Sequence, residues 1–215
     1  MHYLLVSLSH KNTDLTVREK LSFTDTQKRE LLSTVLTCES INEAVIVTTC
    51  NRMEITVSVN NCSQALDRIY HTLSVMSGID ESELQGRADS FEDEGAVRHL
   101  FSVASALESI VIGESQIIGQ LKESCAFAKE NESCGKKLGR LFKYAFKCAA
   151  AVKSSTLIGQ NPVSVASAAV AGAKEKLGNL GGYTAVVVGY GEMSALAARH
   201  LIKADANVII IGRNF

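Results

Sequence analysis

The chain has 215 residues, a formal net charge of −1 and 46% hydrophobic residues. That apolar share is enough for one or two cores, and no apolar run reaches the ~18 residues a membrane helix needs. Near-neutral charge argues against a dominant nucleic-acid binder while leaving room for a local basic stripe.

The first segment, HYLLVSL (2–8), reads as a buried strand. Its context, MHYLLVSLSHKNTD, lacks a basic n-region and a long apolar h-region, so a cytoplasmic place of action is expected. Thr16 to Leu36 predicts helix in two pieces around 22–25, with Thr24 capping the second. AVIVT (44–48) is a second buried strand, rich in β-branched residues. Cys50-Asn51-Arg52 breaks it. EITVSV (54–59) alternates polar and apolar, the pattern of a half-exposed strand. Strand, tight turn and strand therefore place Cys50 at a sheet end.

Gln64 to Met76 predicts an amphipathic helix. Residues 80–94 carry seven acids and one base, which predicts a solvated connector between subdomains. Gly95 to Glu108 is expected to be helical, with Val97, Leu100, Phe101, Ala104 and Leu107 on one side. A turn over 109–114 leads to a further helix ending near Glu130. Gly135 to Leu157 is the clearest helix, and Gly159 is its expected stop. Asn161-Pro162 is expected to open another helix, rich in small residues. From Tyr183 the pattern becomes strand, glycine turn, helix and strand, the opening βαβ of a dinucleotide-binding domain.

Six cysteines, at 38, 50, 62, 125, 134 and 148, form no CxxC and no Cys/His cluster at zinc spacing. In a reducing compartment they are free thiols, and any one of them is by default a small buried hydrophobe. At Cys50 an arginine two residues on can favour the thiolate, the nucleophilic form, but by spacing alone a buried structural thiol is the better reading. Arg52 can clamp a carboxylate with its planar fork or make a surface ion pair. His99 flanks the apolar face of its helix, as a packed residue or as a proton carrier. Lys136, Arg140, Lys143 and Lys147 follow i, i+4, i+7, i+11 and form one basic stripe, solvated or set to meet phosphates.

Gly189-Tyr190-Gly191-Glu192-Met193-Ser194 fits GxGxx(small) between a strand and a helix. The glycines permit the turn and close backbone approach, so that a pyrophosphate rests on the helix N-terminus. Arg213 follows the second strand, where NAD enzymes place an acid. A guanidinium there suits the 2′-phosphate of NADP, or is merely solvated.

Four segments, SHKNTDLTVREKLSF (9–23), VIVTTCNRMEI (45–55), RHLFSVASALESIVIGESQIIGQLK (98–122) and VVVGYGEMSALAARHL (186–201), together resemble the glutamyl-tRNA reductase family in order and spacing. The resemblance implies an α/β fold. An α+β catalytic domain with a helical connector is expected over residues 1–160, and the opening βαβ of a Rossmann-type domain over 161–215. The family's C-terminal dimerisation domain is expected to be absent from these 215 residues. It further implies Cys50 as nucleophile, with His99 assisting. Thr49, Asn51, Arg52, Ser109, Glu114, Ser115, Gln116 and Gln120 would line the glutamyl pocket, Arg52 on a carboxylate. Residues 189–194 would hold NADPH. The family usually has proline where Ser115 stands, and smaller residues at Tyr190 and Ser194.

The implied activity is NADPH-dependent reduction of glutamyl-tRNA to glutamate-1-semialdehyde through a cysteine thioester, the first step of tetrapyrrole formation. The full-length form is expected to be a homodimer that can hand its aldehyde to the next enzyme of the pathway. A chain ending at Phe215 is expected to form the thioester and lose it to water, with little reduction. A non-catalytic fragment that binds tRNA or a partner is the alternative from another class. An NADP-dependent dehydrogenase of a small molecule is a third.

Overall fold

The computed structural model describes residues 1–158 and 164–212. In chain order the elements are β1 (His2–Ser9), α1 (Leu15–Lys20), α2 (Asp25–Leu36), β2 (Ile41–Thr48), β3 (Arg52–Val59), α3 (Cys62–Ser77), α4 (Glu81–Arg87), β4 (Asp89–Glu92), α5 (Asp93–Ala104), α6 (Gln116–Glu130) and α7 (Lys136–Ser155). They are followed by α8 (Val165–Leu177), β5 (Thr184–Val188), α9 (Glu192–Ile202) and β6 (Asn207–Ile211). The expected mixed helix-and-sheet class is what forms. Among the described residues no helix is long and apolar enough to cross a membrane.

The first four strands make one antiparallel sheet in the order β2-β3-β1-β4. Alternation of side chains along each strand divides the apolar residues between two faces. On one face Leu4, Val6 and Leu8 meet Ile46, Met53, Ile55 and Val57, under Leu31, Leu32 and Val35 of α2 and Ile69 and Leu73 of α3. On the other, Leu5, Val45 and Val47 pack beneath Leu100 of α5, Leu121 of α6 and Leu138, Leu141 and Phe142 of α7. Helices therefore cover both faces.

Two expectations change here. EITVSV does not lie half exposed: every residue of β3 is buried. It is a central strand sandwiched between helical layers, so its polar positions Arg52, Glu54, Thr56 and Ser58 go inside with the apolar ones. The acidic stretch 80–94 is also more than a connector. Leu84 anchors α4 in the core, and β4 pairs with β1 through Leu4–Glu92 to Ser7–Asp89. An exposed edge strand tolerates charge, which is why its composition looked like a linker.

Local chemistry sets the helix ends. Thr24 forms a capping box with Gln27 at the start of α2, as its sequence position suggests. Gly78 ends α3 in the left-handed region at φ 68. α5 stops at Ala104, short of the expected Glu108, and Ala106 turns the chain at φ 57. The expected stop at Gly159 and the Asn161-Pro162 helix start lie outside the described residues; α8 is capped by Ser164 with Ser167.

The final segment has a small core of its own, Val170, Leu180, Ala204 and Ala206. β5 and β6 pair in parallel, Thr184 to Val188 against Asn207 to Ile211. α9 connects them, so the predicted βαβ order is present. Val186, Val188, Ile209 and Ile211 leave one face of this two-stranded sheet exposed.

Candidate active site

β2 and β3 join in a tight hairpin whose tip is Cys50-Asn51. Thr49 N–H donates to the Arg52 carbonyl at 2.9 Å. The Thr49 hydroxyl oxygen accepts from the backbone N–H of Asn51 at 3.1 Å and of Arg52 at 3.2 Å. It does the work of a backbone carbonyl at the turn. The His10 N–H donates to the Asn51 carbonyl at 2.8 Å, which ties the tip to the end of β1. The Cys50 side chain is exposed. The thiol is thus held at a sheet end on a braced turn, the place the strand–turn–strand pattern predicts for it.

Beneath the hairpin lies a buried charged cluster. Arg52 is 3% and Glu54 1% exposed. Glu54 Oε1 takes three contacts at 2.9 Å each: Arg52 Nη1, the Ser7 hydroxyl, and His99 Nε2. Arg52 Nη2 donates to the Glu108 carbonyl at 2.5 Å. Burial alone would push the Glu54 carboxyl up. The His99 hydrogen bond, the Arg52 charge and the Ser7 hydroxyl outweigh it and hold the group below its ordinary value. Glu54 is therefore a carboxylate and accepts only, so the proton on His99 sits at Nε2. A neutral His99 then keeps its lone pair on Nδ1. The His99 ring is also stacked on Phe91, centroids 4.4 Å apart at 16°, so the imidazole has little freedom to turn.

Arg52 is thus no surface ion pair. It lines a cleft of about 360 Å³ with Lys11, Arg98, His99, Ser102 and Glu108. Lys11 pairs with Glu108. That hydrogen bond is the main reason the Glu108 carboxyl stays below its usual value. His10, at the same end of β1, is held down chiefly by burial and then by the Arg52 charge.

The other expected pocket residues are more dispersed. Ser109 directly follows Glu108, in a loop closed by the Gly113 N–H donating to the Ala106 carbonyl. Glu114 and Ser115 line a narrow crevice with Gly113 and Val152. Ser115 stands at the N-cap of α6 without a side-chain capping bond, and Gln116 is the first residue of that helix. Gln120 lines a separate cleft of about 340 Å³ with Thr48 and Phe127. Arg52 and His99 are joined; Cys50 is not in the lining of the cleft they share. Glu54, which joins them, escaped the sequence reading. The available signal was the polar run Arg52, Glu54, Thr56, Ser58 at period two, which reads the same whether that face meets water or protein.

At the other end of the chain, Gly189 sits at φ 112, and a Cβ there would lie 3.2 Å from Ser194 Oγ. Its N–H donates to the Ile211 carbonyl at 2.7 Å. Gly191 is the N-cap of α9, and a Cβ there would meet nothing within 4 Å. Glu192, Met193 and Ser194 form the first turn of that helix. A glycine turn open at a helix N-terminus fits the approach of a pyrophosphate. Tyr190 is exposed beside it. Arg213 lies outside the described residues. Among the described residues no group of three or more His, Cys, Asp or Glu side chains could hold a metal ion.

The family model for the N-terminal domain of glutamyl-tRNA(Glu) reductase matches residues 6–156, and that for shikimate/quinate 5-dehydrogenase matches residues 171–215. A glutamyl-tRNA reductase from Nitratiruptor sp. is 56% identical over the whole chain, and one from Campylobacter fetus is 51% identical. The chain spans about half the length of these curated relatives, 50% and 51%. The solved glutamyl-tRNA reductase from Methanopyrus kandleri superposes with a TM-score of 0.64 at 30% identity, over 99% of this chain and 50% of that one.

Proposed function

The chain belongs to the glutamyl-tRNA reductase family, and we propose that it carries the acyl-transfer site of an NADPH-dependent reduction of glutamyl-tRNA to glutamate-1-semialdehyde. In this assignment residues 1–160 are the catalytic unit and 161–215 the start of the cofactor unit. The observation that carries it is the exposed Cys50 thiol on a braced hairpin tip, two residues before Arg52 of the buried Arg52–Glu54–His99 cluster.

The chemistry needs a nucleophile because a free carboxylate is too electron-rich to accept a hydride. An aminoacyl ester is not. The Cys50 thiolate attacks the ester carbonyl of glutamyl-tRNA; the carbon–sulfur bond forms, the carbon–oxygen bond to the terminal ribose breaks, and the ribose oxygen takes up a proton. The product is a glutamyl thioester on Cys50, so one hard step becomes two easier ones. Thr49 holds the turn that presents the thiol. Arg52, fixed by Glu54 and the Glu108 carbonyl, offers positive charge for the substrate carboxylate. Ser109, Glu114, Ser115, Gln116 and Gln120 complete the glutamyl pocket from the loop and first turns of α6. His99, with Nε2 committed to Glu54, has Nδ1 for proton transfer.

Gly189, Gly191 and the first turn of α9 would hold the pyrophosphate of NADPH, with Arg213 on its 2′-phosphate. When bound, NADPH supplies the hydride that, with one proton, converts the thioester to aldehyde and frees Cys50. The full-length enzyme then acts in the cytoplasm as a homodimer and passes its aldehyde to the next enzyme of tetrapyrrole synthesis.

The test is to incubate the chain with glutamyl-tRNA and follow intact mass. A glutamyl adduct that disappears in Cys50→Ser is expected. Neither an adduct on Cys50 nor Cys50-dependent release of glutamate, with tRNA bound, would instead establish a non-catalytic binding module.

A further inference from the structure

We infer that the exposed basic face of α7 is a docking surface for the phosphate backbone of tRNA. The choice of tRNA rests on the proposed function; the phosphate chemistry stands on the surface itself.

α7 carries six basic residues and no acid in a chain whose net charge is −1. Its apolar side, Leu138, Leu141, Phe142 and Ala145, is sunk in the core, so the helix is rigid and its orientation is set. On the opposite side Lys136, Arg140, Lys143 and Lys147 form the predicted stripe, ~16 Å long at 1.5 Å per residue. With Lys129 from the end of α6 and Tyr144 they line an open groove of about 540 Å³. Gly135 and Gly139 also line it, and neither projects a side chain into it.

Two features set this face apart from ordinary solvated charge. First, among the described residues these five cations make no ion pair, whereas Lys28, Arg87 and Arg98 each hold a carboxylate within 3.1 Å. Glu43, the acid beside Gly135, is committed to capping α7: its carboxylate accepts from the N–H of Lys137 at 3.1 Å and Leu138 at 2.7 Å. Second, Tyr144 is 48% exposed, and its ring lies between Arg140, at 5.6 Å, and Lys147, at 5.7 Å. An aromatic face flanked by cations suits a polymer that offers phosphates and bases together. Cations strung along a helix match a repeating anion better than one small anion, which needs them to converge.

The experiment is tRNA binding by the 215-residue chain across a salt series, comparing wild type with Lys136→Gln/Arg140→Gln/Lys143→Gln/Lys147→Gln. Affinity near 0.1 M salt should fall on the order of 30-fold. The slope of log K against log salt should flatten by roughly 3, about 0.7–0.9 for each lost phosphate contact. Arg140→Gln/Lys147→Gln alone should lose roughly half of the slope, which keeps the test open if the fourfold variant misfolds. Unchanged affinity and slope in folded variants would overturn the inference. So would wild-type chain that binds no tRNA at low salt, or a poly-glutamate chain that binds as tightly with the same stripe dependence. Cys50 acylation read in parallel separates the two proposals. A stripe that governs tRNA binding with neither a Cys50 adduct nor Cys50-dependent release of glutamate rejects the proposed function alone. An adduct whose tRNA dependence ignores the stripe rejects this inference alone.

Discussion

Glu54 and His99, 45 positions apart in sequence, meet through a 2.9 Å hydrogen bond between Glu54 Oε1 and His99 Nε2. The same carboxylate oxygen holds Arg52 and Ser7, so one buried atom sets the positions of both the candidate proton carrier and the candidate carboxylate clamp.

Removing that charge is expected to be costly. Glu54→Gln keeps the shape but leaves the Arg52 guanidinium buried without a counter-charge, a loss of about 3–5 kcal/mol. Urea unfolding measures it. Adding Arg52→Met to Glu54→Gln should recover part of the loss, and a double variant no more stable than the single one would show the pair to be uncoupled.

The same carboxylate makes a pH prediction. Its folded pKa is depressed below the ordinary 4.5. Its contribution is therefore fully present above the unfolded value and fades as pH falls through the lower, folded one. Wild-type stability should drop in acid below about pH 4.5, with part of that drop missing in Glu54→Gln. Parallel acid titrations by circular dichroism decide it.

Thr49 carries the hairpin. Its hydroxyl oxygen satisfies two backbone N–H groups, so Thr49→Val should destabilise by about 1–3 kcal/mol and slow acylation of Cys50, while Thr49→Ser retains both. Equal behaviour of the two variants in thermal unfolding and acylation would remove Thr49 from this role.

Thiol labelling separates exposure from ionisation. The buried Cys125 thiol is lowered to about 7, mainly by its hydrogen bond with Cys134, whereas Cys50 is exposed. Alkylation at pH 8 followed by peptide mass analysis should find Cys50 modified first, because reagent must reach the sulfur. Cys125 reacting ahead of it would mean that the core between α6 and α7 opens readily.

Gly189 and Gly191 should differ. Gly189→Ala forces φ 112 on an L-residue and sets a Cβ 3.2 Å from Ser194 Oγ, a strain of about 1–2 kcal/mol. Gly191→Ala meets open space at φ −79 and should be mild. Hydrogen exchange at β5 and β6 reports the difference.

Much of the layout was legible because its signals are local. Thr24 announces its helix through a bond three residues away, Cys50-Asn51 interrupts two runs of strand-forming residues, and the glycines of 189–191 mark a turn between strand and helix. Segment 80–94 misled because charge density describes exposure, and an edge strand is exposed on one side just as a linker is.

The sequence by itself determined the strand–turn–strand around Cys50, the βαβ order near the C-terminus, the stripe on α7 and the family resemblance, since each depends on residues within a turn or a repeat of one another. Only the tertiary structure decided that β3 is central, that Glu54 is a buried carboxylate, and that Arg52 and His99 share it. A period-two polar pattern is identical for a strand facing water and one facing a second helical layer. Which of these holds depends on where α5, α6 and α7 pack, and that is a matter of long-range burial that no local spacing records.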